Sequence, residues 1–97
     1  MTLATANALA RQLHHEVCTI ETYWDKPSGA IKHLNEILGN YGLQIAEFIS
    51  WDDYQETYRR NFELNAVESG ERVDNTWLCF SWYRMPSGRY EITCYLS

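Results

Sequence analysis

The sequence predicts an α+β fold. It has an N-terminal helical hairpin, one strand, a third helix and a C-terminal β-hairpin, which together make a small antiparallel sheet packed on helices. Three observations predict it. Apolar residues recur every three or four positions as far as Leu38. Two aromatic, β-prone runs flank Met85-Pro86-Ser87-Gly88 near the C-terminal end. The chain of 97 residues suits one domain, residues 1–97, since a chain this short hides roughly 60–65% of its unfolded surface around one core.

The first helix is expected from Thr5 to Tyr23, where Ala6, Leu9, Leu13, Val17, Ile20 and Trp24 form one apolar stripe. Asp25-Lys26-Pro27-Ser28-Gly29 breaks it. The second runs from Ser28 to Leu38 on Ile31, Leu34, Ile37 and Leu38, and Gly39-Asn40-Tyr41-Gly42 stops it. Leu43–Ile49 is apolar and reads as a strand. Ser50 then reads as an N-cap, with Asp52 and Asp53 at the positive end of a third helix. In that helix Trp51, Tyr54, Tyr58 and Phe62 make an aromatic inner stripe. Periodicity fades from Asn65 to Asn75, which reads as a loop. Strands follow at Thr76–Arg84 and Arg89–Leu96, joined by a four-residue turn that would pair Arg84 with Arg89 and Cys79 with Cys94. On that register Trp77, Cys79, Ser81 and Tyr83 share a face with Ile92 and Cys94.

Charge is the strongest functional signal. From Glu47 to Asp74 the chain carries Glu47, Asp52, Asp53, Glu56, Glu63, Glu68, Glu71 and Asp74 against Arg59, Arg60 and Arg72. That excess of five equals the net charge of −5. Such a balance disfavours direct nucleic-acid binding by phosphate neutralisation and favours a basic partner. Helix rise would set Asp52 and Glu56 about 6 Å apart, and Glu56 and Glu63 about 10 Å apart. Phosphates lie on a comparable scale, one charge per ~3.4 Å of axis on each DNA strand.

Other chemistry is sparse. His14 and Cys18 stand four apart on one helical face, a spacing that can hold a metal. His33 is the one further obvious donor, so the pair reads as a histidine beside a core thiol, and no metal or cofactor is expected. Cys18, Cys79 and Cys94 lack CxxC spacing, which suits thiols in a reducing cytoplasm, with a Cys79–Cys94 disulfide as the alternative. The N-terminus lacks the basic and apolar regions of a signal peptide, and no window approaches a membrane span. No catalytic motif is present, so an enzyme is not expected.

From Thr2-Leu3-Ala4-Thr5-Ala6-Asn7-Ala8-Leu9 to Trp77-Leu78-Cys79-Phe80-Ser81-Trp82, the chain resembles the small anti-CRISPR proteins of phages and mobile elements. In particular it is similar to type I-F inhibitors that mimic double-stranded DNA. The resemblance implies a non-enzymatic inhibitor in the bacterial host cytoplasm. Its partner would be the basic DNA-binding surface of a CRISPR surveillance complex, on the large subunit and the adjoining backbone subunit. The resemblance transfers no motif, so the site follows from charge: Asp52, Asp53, Glu56, Glu63, Glu68, Glu71 and Asp74 standing in for phosphates. The second reading is a small acidic interaction module, an immunity or accessory protein, using a spare aromatic face. The third is a small metal-dependent enzyme built on His14, His33 and Cys18.

Overall fold

The chain begins with a capped helix. The Thr2 hydroxyl accepts from the Thr5 backbone N–H at 3.2 Å, satisfying one of the donors a helix start leaves open. The computed structural model describes residues 1–46 and 57–97. Helix α1 (Leu3–Leu13) passes into a π-turn, His14–Cys18, and a short helix α2 follows at Glu21–Asp25. The unbroken helix expected from Thr5 to Tyr23 is thus divided. Ile20 is extended, at φ −86° and ψ 110°, and adjacent β-branched Thr19 and Ile20 weaken the helix there. Side chains take over the carbonyls of the wide turn. Thr19 Oγ1 donates to the His15 carbonyl, and Trp24 Nε1 donates to that of Cys18 at 2.8 Å.

A 3₁₀ turn at Pro27–Gly29 leads into helix α3 (Ala30–Asn40), which buries Leu34, Ile37 and Leu38 as its pattern predicts. The chain then enters an antiparallel meander in the order β1 (Leu43–Ile45), β2 (Thr57–Ala66), β3 (Arg72–Arg84) and β4 (Tyr90–Leu96). Helices precede strands and the sheet packs on them, so the α+β class holds.

Three further local expectations are corrected. First, the third helix does not extend to Phe62, because Thr57–Ala66 is strand β2. Tyr58 and Phe62 are four apart, and such positions share a face in a helix and in a strand alike. Pairing along β3, from Thr57 opposite Tyr83 to Glu63 opposite Trp77, decides between them. The Ser50 cap, Trp51, Tyr54 and residues 47–49 of the expected first strand lie outside the described residues.

Second, the expected loop at 65–75 is mostly hairpin. Strand β2 reaches Ala66, the turn holds Gly70 at φ 71°, and β3 begins at Arg72. The ladder is irregular, passing from Glu63 opposite Trp77 to Asn65 opposite Arg72. Asn75, at φ 58°, lies in the segment that bulges.

Third, the last hairpin pairs Arg84 with Tyr90, not with Arg89. Gly88 at φ 87° donates its N–H to the Met85 carbonyl at 2.9 Å. A turn closed by left-handed glycine adds a bulge residue, and the register moves by one. Every side chain of β4 therefore changes face relative to expectation. Cys94 stands opposite Phe80, and Cys79 opposite Tyr95. The two cysteines occupy opposite faces of the sheet, and all three are free thiols.

The inner face carries Phe62, Leu64, Leu78, Phe80, Trp82, Ile92 and Cys94. It closes on Leu9, Leu13, Val17, Leu34 and Leu38 from the helices. Each such large aliphatic or aromatic side chain contributes about 1.5–3 kcal/mol on burial.

Candidate functional site

Four of the seven acids predicted to bind a partner are described, and they lie on the β2–β3 hairpin. Glu63 sits on the outer face of β2, half-buried, and its carboxylate meets Arg72 Nη2 at 3.7 Å. Arg72 also lies over the Trp77 ring, 4.7 Å from its centroid. Glu63 is therefore ion-paired, unlike the acids of the turn. Glu68 and Glu71 are exposed in the turn, and Asp74 is exposed in β3. The turn is built by its own polar groups. The Glu71 N–H donates to Ser69 Oγ, and the Gly70 N–H donates to the Ala66 carbonyl at 2.8 Å. No basic side chain among the described residues pairs with Glu68, Glu71 or Asp74. Asp52, Asp53 and Glu56 lie outside the described residues. With Glu63 on a strand, the helical 10 Å spacing from Glu56 no longer applies.

What the hairpin offers is an edge of exposed carboxylates on a short, hydrogen-bonded turn. Such groups steer a basic surface toward them and add register once it docks.

Next to the acids lies an exposed aromatic face, onto which the one-residue register shift moves Tyr95. Trp77, Tyr83 and Tyr95 are 36%, 46% and 42% exposed. All three point away from the helices, among Arg59, Asn61, Ser81 and Thr93. The Tyr83 hydroxyl donates to the Glu91 carboxylate, which with its charge pushes the phenol's pKa up. The signal in the sequence was Gly88 closing Pro86-Ser87, which favours a bulged loop over a four-residue one.

The metal-binding donors considered above do not converge. His33 accepts or donates through Nδ1 with the Tyr23 hydroxyl at 3.1 Å, while its Nε2 meets Glu16 at 3.4 Å. His14 lies elsewhere, beside Cys18 on a cavity wall. Among the described residues, no group of three or more His, Cys, Asp or Glu side chains could hold a metal. No helix among them is long and apolar enough to cross a membrane. No protein-family profile, curated protein or solved structure matches the chain.

Proposed function

We propose that this chain is an inhibitor that acts by occupancy, presenting carboxylates in place of phosphates to the basic DNA-binding surface of a type I-F CRISPR surveillance complex. The observation that carries the reading is the placement of charge. The whole net charge of −5 arises between Glu47 and Asp74, and Glu68, Glu71 and Asp74 stand exposed on one hairpin. The choice of partner is what the sequence's resemblance to DNA-mimicking anti-CRISPR proteins implies. Exclusion of target DNA follows from competition for the same lysines and arginines on the large and backbone subunits.

The test is a mobility-shift titration of purified surveillance complex with target duplex, in the presence of increasing amounts of this protein. Duplex binding should fall to background at stoichiometric protein, and the protein should co-elute with the complex on size exclusion. Unchanged duplex binding at saturating protein overturns the proposal.

A second reading has its own observation. Trp77, Tyr83 and Tyr95 are exposed along the outer sheet face, which also carries Arg59. Trp, Tyr and Arg are the residue types that dominate protein interfaces. An interaction module would lose its partner on Trp77→Ala with Tyr95→Ala and keep it when the hairpin acids are reversed.

A further inference from the structure

We propose that the cavity between the π-turn, α2 and the β3–β4 hairpin binds a small aromatic monoanion. The cavity measures about 430 Å³, within the range of small-molecule sites and near its lower end, which suits one or two fused rings. Its floor is apolar, formed by Cys18, Trp24 and Ile92. Met85, 37% exposed, stands at the mouth. A floor of this kind requires an apolar ligand body, and the rings of Trp24, Tyr90 and His14 favour a flat one.

The anion's partner is Arg89, whose charge is shared with the Asp25 carboxylate in a half-exposed ion pair. Its guanidinium is fixed before any ligand arrives. Nε donates to Asp25 Oδ1 at 3.1 Å, Nη2 donates to the Glu21 carbonyl at 2.9 Å, and the group lies 5.2 Å from the Trp24 ring centroid. Two of the five donors an arginine carries are so used. The rest can meet the oxygens of a carboxylate or sulfonate without further ordering cost. His14 supplies a second polar group in the lining. Glu91 also lines the cavity, but its carboxylate is engaged by Tyr83 on the outer face. The π-turn itself brings His14 and Cys18 to one wall, and such turns recur at functional sites. This inference is independent of the acidic hairpin and of the proposed inhibition.

The probe is 8-anilinonaphthalene-1-sulfonate, followed by its fluorescence, with N-phenyl-1-naphthylamine as the same ring system without the charge. The folded protein should take up the sulfonate at one saturable site, and 1-naphthoate should displace it. The neutral analogue should bind about tenfold more weakly or worse. A negative charge introduced at two exposed wall positions, by His14→Glu and Met85→Glu, should in each case weaken the sulfonate by a similar factor and the neutral probe by clearly less. Near-UV circular dichroism checks that each variant keeps its packing, and either variant alone suffices. Non-saturable uptake, equal affinity for the two probes, or sulfonate binding unchanged in both folded variants overturns the proposal.

Discussion

Tyr58 stacks on Trp82 across the β2–β3 ladder, with ring centroids 4.4 Å apart and planes 15° from parallel. Phe80 meets the same indole edge-on at 5.8 Å. Trp82 is 1% exposed, so it joins the central strand to the helical layer. Trp82→Ala should remove about 3–5 kcal/mol through lost burial and an unfilled cavity. For a domain this small, each kcal/mol lowers Tm by roughly 4–8 °C. Urea denaturation of the variant should show a sharply lower midpoint, and a change below about 1 kcal/mol would place Trp82 outside the core.

Two glycines separate conformation from space. Gly88 holds φ 87° in the β3–β4 turn, whereas Gly39 lies in α3 with nothing within 4 Å of an added Cβ. Gly88→Ala should cost about 1–2 kcal/mol, the penalty of a left-handed residue with a Cβ. Gly39→Ala should gain about 0.4–1 kcal/mol, because alanine narrows the unfolded ensemble and suits a helix. Thermal melts of the two variants should therefore move in opposite directions.

Helix α3 was legible because Leu34, Ile37 and Leu38 mark one face and Gly42 supplies the stop. The end of α1 was not, since the π-turn depends on Thr19 and Trp24 reaching back to the His15 and Cys18 carbonyls. Periodicity carries no trace of such contacts. Thr57–Phe62 misled because a spacing of four fits both periods, and a partner strand far along the chain made the choice. The acids of the hairpin were identifiable by residue type, but their setting was not. Glu63 gained an ion-pair partner only once the irregular β2–β3 ladder brought Arg72 beside it. The cavity needed three separate elements to converge, which no local pattern records.

Burial sets the behaviour of two thiols. It raises Cys94 far above its ordinary 9.0, with the nearby Cys18 and Cys79 adding to the effect, and it raises Cys18 despite a hydrogen bond from the Cys94 backbone. Both should resist alkylation at pH 8 in the native protein and react at once in denaturant. The stability consequence has a definite sign. A folded thiol with a raised pKa keeps its proton where the unfolded one has lost it, so stability is intact below pH 9 and falls as pH rises above it. Urea midpoints for wild type and Cys94→Ala, measured from pH 7 to 11, should converge as pH rises. Parallel curves would place Cys94 in a wetter setting than the core.

The acidic hairpin gives the most direct contrast between folding and binding. Glu68→Lys, Glu71→Lys and Asp74→Lys each add two charges, so together they take the net charge from −5 to +1. All three positions are exposed, and surface changes of this kind usually alter stability by no more than about 0.5 kcal/mol each. The triple variant should melt close to wild type and yet lose most of its affinity for the surveillance complex, chiefly through a slower on-rate. Wild-type association should itself slow with salt, since exposed charges are screened over ~10 Å at 0.1 M. The matching triple reversal at Asp52, Asp53 and Glu56 divides the labour. If it abolishes inhibition while the hairpin variant retains it, the docking surface lies before β2. If only the hairpin variant fails, the β2–β3 turn is the contact. Full inhibition by both variants, with salt-independent association, would remove charge mimicry as the mechanism.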